Sequence, residues 1–442
     1  MVRSVAVLLL AALAARADDW PQWMGPARDG RWKETGIIDT FPADFKPLWS
    51  VKIAGGYAGP AVVGGKVYVT DYVRKDGDAA NNPNARAKSE GTERILCLDA
   101  RTGTELWKHE YPVKYAVSFP AGPRCTPTVA DGKLYALGTM GDLRVLDANS
   151  GSLLWSKDFK ADYGAPVPQW GFAGHPLVYK DLLVCLVGGP NALLVAFDRN
   201  SGKEVWKSLN PPAVDGAGYC PPTLVEAGGK TQLVIWHPEK LVGLNPADGK
   251  KYWDIALKPA YGMSIMAPRQ DGDYLFAGGI GFVCLTVKLA KDKPAVEEVW
   301  RGSQMKKNGL YPVNATPIVE DGIIYGVDQP GSLRAVKIAT GERLWGTQQP
   351  VTGKQDADER PVNSGTAFLV KNGDRYFLFG ETGHLVIAKL SPAGYEEVSR
   401  AKILEPTNEC FGRSVVWSHP AFANKCVYAR NDKEIVCYSL AK

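Results

Sequence analysis

The sequence predicts an all-β fold, an eight-bladed β-propeller of four-stranded antiparallel blades with tryptophan-docking repeats, closed by its N-terminal strand. Three recurring observations predict it. A phrase of Asp, Gly four positions on and Trp four beyond that reads Asp99, Gly103, Trp107, then Asp147, Gly151, Trp155, then Asp198, Gly202, Trp206. Looser copies run from Asn245 through Gly249 to Trp253 and from Lys337 through Gly341 to Trp345. Ahead of each phrase a turn opens an alternating strand, at Gly64, Asp131, Lys180, Gly229, Asp271, Asp321, Asn372 and Asn424. Ahead of that, a short apolar strand opens on Pro60, Pro127, Pro176, Pro222, Pro268, Pro317 and Pro420, with Thr366 in that place in the seventh copy. Self-similarity at a period of 45 to 51 residues marks a repeat architecture.

Each unit thus supplies three strands and a Trp strand, and a four-stranded antiparallel unit of this length is a propeller blade. The Asp or Asn accepts backbone N–H bonds and the Gly supplies positive φ, so the phrase is a tight turn. A Trp placed once per blade on the outermost strand packs one blade on the next. Trp49, Trp107, Trp155, Trp206, Trp253, Trp300 and Trp345 are therefore expected to be structural docking residues. The last unit ends without its own Trp strand, and residues 47–53, carrying Trp49, supply it from the other terminus and remove an open sheet edge. Two blades depart from the pattern. The fifth lacks the Gly turn between Thr286 and Val299, and the seventh has Ser399 in place of Trp. An insertion from about Arg74 to Arg94 in the first blade, rich in Asn, Ala and charge, reads as a solvated loop.

Residues 1–17 read as a secretory signal peptide: Arg3, an apolar stretch from Val5 to Ala14, and small residues at Ala15 and Ala17 around Arg16. Residues 18–46 are an N-terminal extension and 47–442 the propeller. An exported protein, periplasmic or extracellular, is expected, with no transmembrane span, and a monomer. Fifty-two Lys and Arg against 47 Asp and Glu, with no clustered basic stripe, speak against nucleic acid. Of the eight Cys, Cys97, Cys284 and Cys437 occupy equivalent strand positions, as do Cys125 and Cys220, so mostly buried thiols are expected.

The docking phrase resembles the repeat of quinoprotein (PQQ-dependent) alcohol dehydrogenases and of the outer-membrane assembly lipoprotein BamB, both eight-bladed. The run from Trp20 to Gly30 is similar to the opening of exported PQQ-like propellers of planctomycete-type bacteria. The resemblance implies a choice between enzyme and scaffold. A quinoprotein dehydrogenase needs PQQ, calcium held by carboxylate and amide oxygens, a carboxylate base and, in the enzymes, a vicinal disulfide cap. No two Cys are adjacent here, and no Cys-x-x-Cys-His haem attachment site occurs. Asp76, Asp78, Asp356, Asp358 and Glu359 could offer oxygen ligands but read as polar turns.

The five His (His109, His175, His237, His384, His419) lack metal-ligand spacing. His175 and His419 share one repeat position in blades three and eight. They are not neighbours around the ring, and each is expected to bond within its own blade. The residues three before each inner-strand Pro are Tyr57, Arg124, Ala173, Tyr219, Ile265, Asn314, Asn363 and Trp417, with Trp170, Phe172, Tyr261, Met263, Tyr311 and Arg413 in the loops that feed those strands. Tyr57, Arg124, Trp170, His175, Tyr219, Asn314, Asn363, Arg413, Trp417 and His419 are the candidate channel-mouth residues, for a protein, a peptide or a small polar ligand. A non-catalytic binding scaffold without cofactor is expected. The alternative is a PQQ- and calcium-dependent dehydrogenase or a degenerate relative.

Overall fold

The computed structural model describes residues 18–213, 216–303, 305–353 and 361–442. The signal-peptide reading and the acidic cluster at Asp356, Asp358 and Glu359 lie outside the described residues. Eight four-stranded antiparallel sheets succeed one another along the chain. Blade 1 comprises Ala61–Val63, Lys66–Gly77, Ala87–Asp99 and Glu105–Val117, and blades 2 to 7 repeat this order of innermost to outermost strand. In blade 8, Ala421–Ala423, Cys426–Arg430 and Glu434–Ser439 are followed in space by Trp49–Lys52. Trp49 pairs with Cys437 and Lys52 with Glu434, so the ring is closed by strands from both ends of the propeller.

Each blade places alternate residues of its middle strands in the contacts between blades. Leu183, Val195 and Phe197, for example, are fully buried between blades 2 and 3. All eight Cys are free and buried, seven of them in the blades or at their edges and Cys410 in a hairpin beside Phe119. In blades 1 to 7 the register slips by one residue at the docking position, as where Cys97 faces Trp107 but Leu98 faces Glu105. The extra residue of such a bulge is turned away from the ladder. It is apolar and exposed at Leu106, Leu154, Val205 and Val299, which accounts for large hydrophobic side chains on the outer rim.

The docking reading takes a concrete form. Trp49 Nε1 donates to Ala100 O of blade 1 at 3.0 Å, Trp107 to Ala148 O, Trp155 to Arg199 O, Trp206 to Pro246 O, Trp300 to Ile338 O and Trp345 to Ser391 O. Each of these carbonyls belongs to the turn of the following blade. Under every one of these indoles except that of Trp345 lies the turn Gly: a Cβ at Gly151 (φ +73) would sit 2.5 Å from Trp107 Cε3. Trp253 is the exception, since its Nε1 donates to Gln232 Oε1 of its own blade at 2.7 Å. Blade 5 offers it no Gly turn, and the ring instead covers Gly243, its cross-strand partner. At Ser399, which faces Ile387 where a Trp would stand, the hydroxyl accepts from Phe41 N of the N-terminal extension at 3.0 Å.

The insertion in blade 1 is not the solvated loop expected from its composition. Three strands of 12 and 13 residues run through it as a twisted ribbon, from Tyr72 paired with Glu93 out to Gly77 paired with Ser89. Buried Glu93 holds it together, accepting from Tyr111 OH and Tyr115 OH, both at 2.5 Å, and from Thr139 N of blade 2. Tyr72 stacks on Tyr115 at 4.0 Å. Only the tip at 78–86 is irregular, and there Asp78 caps a turn by accepting from Ala80 N, just as Asp76 accepts from Gly77 N.

Candidate functional site

The N-terminal extension converts the central channel into a cup. Trp20 pairs with Val62 on the inner edge of blade 1, Val129 N of blade 2 donates to Pro21 O, and Lys371 N of blade 7 donates to Gly30 O. These bonds satisfy edge groups that the innermost strands present to the channel. Between them Trp23 is driven into the axis and is only 4 % exposed.

Above Trp23 lies a cavity of about 410 Å³. Its floor is Trp23, His175 and His419, and its wall carries Tyr57, Phe119, Arg124, Trp170, Tyr219, Asn314, Asn363, Phe368 and Trp417. At the mouth Phe411 is 46 % and Tyr261 74 % exposed, so the cup opens on the side away from Trp23. Ala173, Met263 and Ile265 also line it, and Pro83 and Asn84 from the blade 1 ribbon reach over its edge. The ribbon tip is tied across the mouth by Asn81, which donates to Asn408 Oδ1 and Glu409 O of the hairpin Asn408–Cys410 and Arg413–Val415.

Nine of the ten channel-mouth candidates are thus brought to one surface. Arg413 is not, for its Nε donates to Glu381 at 2.6 Å and its charge is spent there. Buried Glu381 also accepts from Trp417 Nε1 at 3.0 Å and Thr366 N at 3.0 Å, so this pair fixes the rotamer of Trp417 from behind the wall. Phe172 packs edge-on to Phe159, and the hydroxyl of buried Tyr311 donates to Asn308 O; both lie outside the cavity lining.

Arg124 is placed as a clamp. Its guanidinium donates to the carbonyls of Trp170, Gly122, Ser118 and Phe119 and lies 5.1 Å over the Tyr57 ring. These partners are uncharged, and Arg124 is the one charged side chain among the described lining residues.

The two His are corrected most. His419 Nε2 accepts from Trp23 Nε1 at 3.2 Å, and the His175 ring stacks on the same indole at 5.0 Å, so the two meet across the channel through Trp23. The ring nitrogens of His175, 8 % exposed, meet no side-chain partner and approach only the Ala173 backbone. Burial, then the charge of Arg28, pushes its pKa well down, and burial followed by Arg269 brings His419 to about 3. Both imidazoles are neutral at pH 7, so each ring can offer one donor and one acceptor.

Backbone strain gathers at the same rim. Phe119, Tyr261, Ser364 and Phe411, all lining the cup, hold φ between +54 and +58, or +49 for Phe411. Bulky residues keep such a conformation only where their surroundings over-determine it, and that pattern is concentrated at binding sites.

No Asp or Glu is among the lining residues, and no group of three or more His, Cys, Asp or Glu with metal-binding geometry occurs among the described residues. The aromatic walls could face a planar ring. The described donor set alone does not fit calcium, a hard cation that takes oxygen ligands rich in carboxylate, and no carboxylate base is among the described lining residues.

The eight blades with their docking tryptophans define a β-propeller of the PQQ-like repeat class. The chain belongs to the family described as outer membrane protein assembly factor BamB, whose model matches residues 91–347 and 289–442. It is 24 % identical over 271 residues to the BamB of Moranella endobia, covering 57 % of this chain and 61 % of that protein. It is 28 % identical over 243 residues to the quinohemoprotein alcohol dehydrogenase ADH-IIG of Pseudomonas putida, covering 47 % of this chain but 30 % of the enzyme. The chain therefore spans less than two thirds of the length of either relative. Among solved structures, the quinohemoprotein alcohol dehydrogenase of Comamonas testosteroni superposes with a TM-score of 0.63 at 14 % identity, over 97 % of this chain and 82 % of that one, a likeness of fold.

Proposed function

We propose that the chain is an exported, non-catalytic propeller that binds a peptide segment or a small polar ligand in its axial cup. The observation that carries this reading is the described lining itself: aromatic faces, amides and one cation converge on about 410 Å³. Asn314 and Asn363 at the wall and His175 at the floor would orient the ligand, while Trp170 and Trp417 would supply contact area. Relatives named as assembly factors agree with a binding role, and no helix among the described residues is long and apolar enough to cross a membrane.

Partners captured from a periplasmic extract by wild-type protein should be lost on Trp417→Ala with Arg124 intact. Retention would remove the cup from consideration. The second reading, a quinone-dependent dehydrogenase, rests on the name of the Pseudomonas relative. Adding PQQ and calcium to purified protein should give neither a quinone absorbance change nor dye-linked alcohol oxidation, and turnover would replace the scaffold reading with the enzymatic one.

A further inference from the structure

On the face opposite the mouth, the N-terminal extension leaves one gap. Its backbone bonds the inner edges of blades 1, 2 and 7, whereas side-chain contacts alone tie it to blades 3 and 5, and a second cavity of about 480 Å³ lies between residues 22–31 and blades 3, 4 and 5. Leu177 and Val178, Thr223 to Val225, and Pro268 to Asp271 form its walls, and Arg28 and Arg269 line it together.

Both arginines are more than nine-tenths buried, at 8 % and 9 % exposed. Neither has a carboxylate partner in ion-pair range among the described residues. Arg28 donates to the carbonyls of Pro176 and His175, and Arg269 to those of Pro317 and Arg28 and to Met24 Sδ. The carboxylates nearby are committed elsewhere: Asp29 accepts from Arg31 N, Glu320 pairs with Arg31 and Lys371, and Asp271 accepts from Gly322 N. Burial brings both guanidinium pKa values down to about 10, with the charge of Arg269 adding to the effect on Arg28, while Asp29 partly offsets it for Arg269. Arg430, the other wholly buried arginine, is different. It sits beside Asp432 and Asp71 and lines neither cavity.

Arg28, Arg269 and Arg31 against Asp29 and Asp271 leave the lining with a net positive charge. Two desolvated cations without an ion-pair partner are costly, and guanidinium forks match the geometry of oxyanions. We propose that this gap is a binding site for a compact oxyanion held between Arg28 and Arg269. Phosphate, sulfate and the carboxylate of a peptide terminus or acidic side chain share the chemistry required. The anion would sit against the N-terminal extension and fasten it to blades 3 and 5, independently of whatever enters the cup.

Calorimetric titration of the full chain with inorganic phosphate, sulfate and acetate, at matched ionic strength in chloride, tests the site. Saturable binding is expected, weakened roughly tenfold or more by Arg269→Gln, the loss of a charge-assisted contact. Preference for phosphate and sulfate would identify a tetrahedral oxyanion, and parity with acetate a carboxylate. If Arg269→Gln fails to fold, Thr223→Glu, which places a carboxylate in the same gap, should abolish phosphate binding and raise the melting temperature. No saturable binding of any of the three anions to wild type, or undiminished binding to both variants, would overturn the proposal.

Discussion

A docking tryptophan stabilises twice, through the area it covers and through one N–H aimed at the neighbouring turn. Trp206 does both from a buried position, its Nε1 3.2 Å from Pro246 O. Trp206→Ala should cost about 3–5 kcal/mol, the range for deleting a large core side chain, read from the urea midpoint. The same scale governs the response to acid. Burial holds His419 at about 3 and, with Lys240, His237 at about 4, whereas both titrate near 6.5 when unfolded. Below that pH the unfolded chain binds protons that the folded one refuses. Stability is therefore complete above about pH 6.5 and falls as the pH drops toward the folded values, by about 1.4 kcal/mol per pH unit for each His. Melting temperatures from pH 7 to 5 should decline accordingly, and a flat profile would contradict the neutral buried imidazoles. The docking positions were legible because they repeat. The meeting of His175 and His419 was not, because the residue that joins them, Trp23, belongs to no repeat.

At the level of elements, the turn and the tryptophan form one device. Gly151 needs both its positive φ and its missing side chain, since a Cβ there would strike Trp107. Gly151→Ala should thus destabilise by more than the roughly 1 kcal/mol expected of a strained turn alone, and Trp107→Ala in the same chain should recover part of the loss, a non-additivity that denaturant titration of the four proteins measures. The strand count and the closing pair at Trp49 and Cys437 followed from pattern, because a four-strand unit can hide its missing member nowhere else. The ribbon of blade 1 escaped that logic. Its first strand is polar and exposed beyond Tyr72, while Tyr111, Val113, Tyr115 and Val117 alternate on the third. The network on Glu93 that rigidifies the ribbon is assembled from its strands and blade 2, which no single stretch of sequence displays. Shortening the tip at 79–85, which unties Asn81 from Asn408, should speed ligand entry to the cup in stopped-flow measurements while leaving the melting temperature within a few degrees.

Over the whole molecule, the ring positions eight equivalent residues around one axis, and function is read where they stop being equivalent. The residues three before each inner-strand turn were readable as a mixed collar, and all eight line the cup. That the channel has a floor was hidden, because residues 18–32 carry no strand period and are placed by bonds to several blades at once. Removing residues 18–32 should open a through-channel, lower the melting temperature and expose Trp417 to acrylamide quenching from both faces. Closure has a consequence for the order of assembly. Trp49 and Trp20 leave the ribosome early, yet the strand that Trp49 completes ends at Ser439, nearly four hundred residues later. Until that partner strand has been made, Trp49 has no sheet to join, and the edge it covers in the finished ring stays open. Closure is thus a contact of very long sequence separation, and it belongs to a late step of folding.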